Sequence, residues 1–262
     1  MNTKRLILLL GGINLALYAY LYQYEPIQGF WLDFLLDVEF PLWALLSTYW
    51  LYRVAQAYQP GEKPRLIWLT FASGLGVWSL AELIWMYLDL VPYADSPVPA
   101  ITIADIPWFG GYLFFFVSFW LQYVRLKRGN LSALRHRFMQ GVLFIAIVTT
   151  LLAWLLQRSG SDLPLWQLFI LAFYPVADLA LGIAALRLWR SFGRGRWVYP
   201  WIGLLAFVLG DIPFTLLGAF DYLQEEPWLL LADLTYLAAY VLLAYFCYHL
   251  YALFYSEDDA LV

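Results

Sequence analysis

Charge is scarce in this sequence. Of its 262 residues 13% are charged and 63% hydrophobic, where soluble domains carry roughly 25% charged residues, so an ordinary soluble domain is excluded. A single cysteine, Cys247, excludes a disulfide framework, and two histidines, His136 and His249, are too few for a zinc or bis-histidine haem site. No metal and no cofactor is therefore expected. The formal net charge of -4 argues against nucleic acid as a partner, because phosphate binding needs a clustered basic surface. Lys4, Lys63 and Lys127 all flank the apolar runs, so none of them can serve as the Schiff-base lysine of a retinal protein. Walker A, H-E-x-x-H and G-x-S-x-G patterns are missing as well, which leaves nucleotide hydrolysis, zinc proteolysis and serine hydrolysis without a motif.

What the chain has in abundance is long apolar runs and aromatic rings, including 14 Trp and 20 Tyr, residues enriched where lipid meets water. A membrane helix needs roughly 20 mostly apolar residues. Eight such runs can be read, at about Arg5 to Tyr24, Trp31 to Arg53, Arg65 to Val91, Ala104 to Arg125, Phe138 to Gln157, Leu165 to Arg190, Trp197 to Phe220 and Trp228 to Tyr255. They are continuous and too long for the alternating segments of a barrel. Lys and Arg collect on the cytoplasmic side of membranes. Here Lys4, Arg5, Arg53, Lys63, Arg65, Arg125, Lys127, Arg128, Arg135, Arg137, Arg187, Arg190, Arg194 and Arg196 all fall on one side of the eight spans. The opposite loops hold Arg158 and the acids Glu25, Asp33, Asp95, Asp162, Asp221, Glu225 and Glu226. The expected location is a cell membrane, the bacterial inner membrane, crossed several times with both termini cytoplasmic. Lys4-Arg5 before an apolar run also suits a signal peptide. No small-x-small cleavage site follows Leu17, however, and the run continues into Tyr18, Tyr20, Tyr22 and Tyr24, so the first span is expected to stay as an anchor.

The sequence also repeats itself at a distance of about 128 to 134 residues. Ala104-Asp105 with Trp108 and Tyr112 matches Ala232-Asp233 with Tyr236 and Tyr240; Glu82 upstream of the first corresponds to Asp211 upstream of the second; Phe40-Pro41-Leu42-Trp43-Ala44-Leu45 echoes Tyr174-Pro175-Val176-Ala177-Asp178-Leu179. The expected fold is an all-α polytopic membrane protein whose eight transmembrane helices form two parallel four-helix repeats, residues 1–137 and 138–262. An even number of spans separates the copies, so both face the same way, and sites in such folds lie between the halves.

Glu82, Asp178 and Asp211 fall inside spans, and Asp37, Glu39, Asp105 and Asp233 near their outer ends. A charge at the bilayer centre costs about 2.5–3.5 kcal/mol on insertion scales, so these acids should face the bundle interior or a water-filled cavity. Asp105 shares a helix face with Trp108 and Tyr112, Asp233 with Tyr236 and Tyr240, and Glu82 with Trp78 and Trp85. The candidate ligand-binding set is therefore Glu82, Asp105, Trp108, Tyr112, Tyr174, Asp178, Asp211, Asp233, Tyr236 and Tyr240, an outward-facing acidic and aromatic pocket suited to a small cation or an amphiphile. Structural glue between helices is the plainer role for any one acid. Pro107 and Pro213 are expected to kink their spans. His249 and Cys247 read as packing residues.

The repeated Ala-Asp pattern and the Tyr174 to Leu179 run make spans 3 to 8 resemble the multi-span membrane sensor regions that lie N-terminal to diguanylate cyclase and histidine kinase domains in many bacteria. The resemblance implies sensing of an external or membrane-borne signal and a membrane or cytoplasmic signalling partner. After Tyr255 only seven residues follow, Ser256 to Val262, so the expectation is a stand-alone version without its own output domain. Alternatives are a proton-coupled transporter or channel, and a structural subunit of a membrane complex. An aspartyl intramembrane protease would need paired acids. Asp178 and Asp211 sit in consecutive spans, but Tyr174 is four residues before its acid and Leu209 replaces the first glycine of a G-x-G-D motif, so no enzyme activity is expected.

Overall fold

The computed structural model describes residues 3–94, 96, 98–99, 101–126, 131–158, 163–192, 195–219 and 226–255, with side chains described for all of these except 131–137, 192, 196, 215–219 and 226. The described residues form α-helices and connecting turns, with one short 3-10 turn at Arg196–Val198 and no strand. The helices are α1 Thr3–Tyr24, α2 Phe30–Asp37, α3 Glu39–Gln56, α4 Lys63–Leu90, α5 Asp105–Leu126, α6 Leu131–Arg158, α7 Leu165–Phe192, α8 Tyr199–Ala219 and α9 Glu226–Tyr255. Five stretches, in α1, α4, α6, α7 and α9, are long and apolar enough to cross a membrane, which is the make-up of a helical membrane protein. The other three expected spans correspond to the shorter or more aromatic helices α3, α5 and α8. In α8 the apolar stretch runs only from Tyr199 to Phe214.

The second expected span is interrupted. Pro41 lacks an N–H and its ring crowds the carbonyl four residues earlier, that of Asp37; α2 stops at Asp37 and α3 starts at Glu39. Pro107 does not kink its helix. Because α5 begins at Asp105, Pro107 lies in the first turn, where no intrahelical N–H donor is needed. That start is fixed by reciprocal bonds of the capping-box kind: Thr102 Oγ1 accepts from the Ala104 N–H at 3.1 Å and Asp105 Oδ2 from the Thr102 N–H at 2.7 Å. Pro175 and Pro213 do lie inside helices.

Neighbouring helices close a ring in the order α3, α4, α5, α7, α8, α9 and back to α3, with α1 outside it against α9 and α6 outside it against α7. The outer helices carry exposed Leu8, Leu9, Leu10 and Ile13 on α1, and Leu143, Phe144 and Ile147 on α6, the surface expected to meet lipid tails. In an apolar surround a hydroxyl without an internal acceptor is costly. Ser47, Thr48, Ser79 and Thr150 avoid this by donating to the carbonyl four residues back.

Aromatic rings fill the middle of the ring of helices. Phe71 of α4 stacks on Trp201 of α8 at 4.7 Å, Trp68 and Phe119 lie 5.8 and 4.5 Å from the same Trp201, and Trp78 meets Phe207 at 4.7 Å. Close approach of helix to helix is bought with small residues. A Cβ on Gly111 would stand 2.0 Å from Trp78 Cδ1, and one on Gly210 would stand 2.8 Å from the Thr235 carbonyl oxygen.

Candidate functional site

The carboxyl groups of the ring gather at the end away from Arg53, Arg65 and Arg125. Glu82 projects from α4 and is 6% exposed. Its Oε1 accepts three bonds, from Tyr240 at 2.6 Å, Tyr236 at 3.1 Å and Trp108 Nε1 at 3.3 Å. Asp178 on α7 is 4% exposed and its Oδ1 accepts from Tyr112 at 2.6 Å. Asp211 on α8 lies directly against Asp178. Asp105, 5% exposed, accepts from the Tyr174 hydroxyl through Oδ1. Among the described residues no Lys or Arg side chain lies against any of these acids.

Each donor is placed by its helix period. Trp108 and Tyr112 are four apart on α5, Tyr236 and Tyr240 four apart on α9, so each pair lies along one face with successive turns aligned. The partners are acids of other helices. Trp108 reaches across to α4, Tyr112 to α7, and both α9 tyrosines to Glu82 of α4. The hydroxyls thus tie facing helices together, because a side chain on an inward face meets the opposite wall before it meets its own turn. Trp85 lies tilted at 5.7 Å against Trp108, Trp78 is 5.2 Å from Tyr112, and Phe207 is 5.2 and 4.8 Å from Tyr236 and Tyr240. Trp78 also donates from Nε1 to the Trp108 carbonyl at 2.9 Å, an approach that only a residue without a side chain at position 111 allows.

The structure therefore brings together Glu82, Asp178, Asp211, Trp108, Tyr112, Tyr236 and Tyr240, with Asp105 attached through Tyr174. Asp233 stands apart. It accepts from Tyr18 of α1 at 3.0 Å, and Phe40 stands between the two groups, 5.9 Å from Tyr18 and 5.7 Å from Tyr236. The sequence reading placed Asp37, Glu39 and Asp233 at the outer ends of spans but did not gather them with Asn14 into this second cluster. It holds Glu39, 6% exposed, in contact with Asn14, whose Oδ1 accepts from Trp43 Nε1 at 2.7 Å. The signal was there: Asn14 is the sole amide between Arg5 and Gln23 in an apolar run, and polar side chains in such runs face protein rather than lipid. Asp37 and Asp89 form a further contacting pair nearby.

His249 packs between the rings of Tyr199 and Tyr245 at 5.0 and 4.6 Å, and Cys247 is buried, both as expected. Lys127, Arg128, Arg194, Asp95, Asp162, Asp221, Glu225 and residues 256–262 lie outside the described residues, as do the side chains of Arg135, His136, Arg137, Arg196 and Glu226. Among the described residues no group of three or more His, Cys, Asp or Glu is arranged to hold a metal ion. Comparison of the chain with protein-family models, with curated proteins and with solved structures finds no match to any of them.

Proposed function

We propose that this chain is a sensor-like integral membrane protein that binds a small cation, or the cationic head of an amphiphile, among Glu82, Asp178, Asp211 and the tyrosines that surround them. Eight spans arranged as two parallel four-helix repeats, residues 1–137 and 138–262, with both termini cytoplasmic, complete the reading. The observation that carries it is the meeting of three carboxyl groups from α4, α7 and α8 inside one ring of helices with hydroxyl and indole donors but no basic side chain. Acids kept in an apolar interior without a cation of their own are costly, and a bound one offsets that cost.

Two correspondences support the duplication. Phe115 would clash with a Cβ on Gly74 as Leu243 would with one on Gly203, pairs related by the same spacing as Glu82 with Asp211 and Tyr112 with Tyr240. The crossing of hydroxyls is reciprocal too: Tyr112 of the first half serves an acid of the second, and Tyr240 of the second serves Glu82 of the first.

A proton-coupled transporter or channel would need a polar route from the acids to the basic end. The stacked rings of Trp68, Phe71, Phe119 and Trp201 stand in that position, which favours a closed binding site. The contact between Asp178 and Asp211 also meets the first demand of an aspartyl protease, two acids able to share a proton; cleavage of a helical reporter peptide in micelles, lost in Asp211→Asn, is the result that would favour that second reading.

The test of the main proposal uses the purified chain in micelles with a panel of tetramethylammonium, methylammonium, sodium and dodecyltrimethylammonium salts. At least one is expected to raise the thermal unfolding midpoint, and the double variant Glu82→Gln with Asp211→Asn to lose that response. An unchanged response in the double variant removes the site.

A further inference from the structure

The two pseudo-equivalent acids of the ring are not equally satisfied. Glu82 Oε1 takes three donors from two helices. Asp211, its counterpart in the second half, is hydrogen-bonded to another acid, Asp178, and not to a hydroxyl or indole. Apart from the hydrogen bond between them, these two carboxyls accept, among the described residues, from the Tyr112 hydroxyl on Asp178 Oδ1. Asp178 Oδ2 is buried with no donor, and its residue is 4% exposed. Two acids in contact repel unless they share a proton or hold a cation, and a shared proton still leaves one negative charge beside the buried Asp178.

The size of the missing charge follows from the oxygens on offer. A divalent ion such as calcium takes six to eight oxygen ligands, and no cluster of that kind occurs among the described residues. Two carboxyls that share one proton carry one negative charge, which a single monovalent cation balances. Around them Trp78, Phe207 and Tyr112 pack ring to ring at 4.7 and 5.2 Å, which leaves little space for a bulky ligand beside the half-buried Asp211.

We infer that Asp178 and Asp211 together hold one small monovalent cation, an alkali ion or the ammonium of a primary amine, with Glu82 fixing the helices that surround it. This rests on the cation-binding reading above and narrows it to one pair of side chains. Glu82 is then a positioning residue: its three bonds hold α5 and α9 against α4 beside the pair.

The experiment follows thermal unfolding of the full chain in micelles at constant ionic strength, with sodium chloride or methylammonium chloride replacing choline chloride. One of the two is expected to raise the midpoint saturably, by about 5 °C at a hundredfold excess over Kd for a chain of this size. Sodium alone identifies an alkali ion, methylammonium alone an amine. Asp178→Asn and Asp211→Asn each abolish the shift, whereas Glu39→Gln, in the separate cluster against α1, keeps it. A measurement on the unaltered chain accompanies these: carbodiimide labelling followed by mass spectrometry should modify Asp178 or Asp211 at least threefold more slowly with the active ion present than in choline. A shift that survives both Asp→Asn variants, or labelling indifferent to both ions, overturns the inference. Loss of the shift in Glu82→Gln with retention in Asp178→Asn, or a response to dodecyltrimethylammonium without one to either small ion, overturns it while leaving the broader reading of the site standing.

Discussion

Among single residues, the tyrosines carry the polar chemistry of this protein, because a phenol brings an apolar ring into the bundle and places one donor at its tip. Tyr240 is fully buried and gives Glu82 its shortest bond, 2.6 Å, while Tyr236 is half-buried and bonds the same oxygen at 3.1 Å. Removing one hydroxyl leaves the ring packing intact but takes a donor from a buried carboxyl, a loss of about 1–3 kcal/mol. Tyr240→Phe is expected to lower unfolding stability by that amount and Tyr236→Phe by less, since two donors remain on Oε1 and the longer bond is the weaker one. Chemical unfolding of both variants in mixed micelles measures the difference. Equal effects would mean that Glu82 is held by the set as a whole and not by its closest partner.

At the level of whole helices, α1 is the element whose attachment depends most on a few polar contacts. Much of its surface is exposed. It is tied by Tyr18 to Asp233, by Asn14 to Trp43 and Glu39, and by the close seat of Gly11 against Val241. Asn14→Leu removes the acceptor for the Trp43 N–H and the donor for Glu39, so α1 is expected to open locally with amide exchange faster by roughly tenfold, the equivalent of about 1.4 kcal/mol, while α9 is unaffected. Exchange in α1 that stays as slow as in the parent chain would mean that apolar packing alone retains it. The helices themselves were legible in the sequence wherever twenty apolar residues ran together, since length and hydropathy suffice for that. The break after Asp37 was not, although Pro41 was in view, because whether a proline starts a helix or bends one depends on where the helix begins. For the same reason Pro107 looked like a kink and is a helix start. The acids of the site were legible as isolated charges in apolar runs. Their partners were not: the face shared by Asp105, Trp108 and Tyr112 is real, but which wall that face meets is decided by the packing order of the helices, and nothing local to α5 encodes that α7 lies opposite.

For the molecule as a whole, charge runs from one end to the other. Tyr255 of α9 donates to the Arg53 carbonyl at 2.9 Å and its ring lies 4.8 Å from the Arg53 guanidinium, and Arg65 donates to the Tyr58 carbonyl at 2.9 Å, so the end of α9, the end of α3 and the start of α4 meet at one basic pole. The carboxyls gather toward the other pole, with the aromatic layer of Phe71, Phe119 and Trp201 between. Basic residues are retained on the cytoplasmic side of a bilayer, and on that rule the proposed orientation has the acid pole and its site facing outward. The loops at residues 28 and 59 lie at opposite poles, and both Gln28 and Gln59 are exposed. The natural cysteine, Cys247, is buried and serves as a silent background. In intact cells a membrane-impermeant maleimide is expected to label Gln28→Cys, and to label Gln59→Cys only after the membrane is opened. The reverse pattern would put the acids on the cytoplasmic side, and a ligand for them would then have to come from within the cell. Labelling of both positions from one side would mean that α2 and α3 do not together cross the bilayer, leaving α4 to begin on the face where α1 ends.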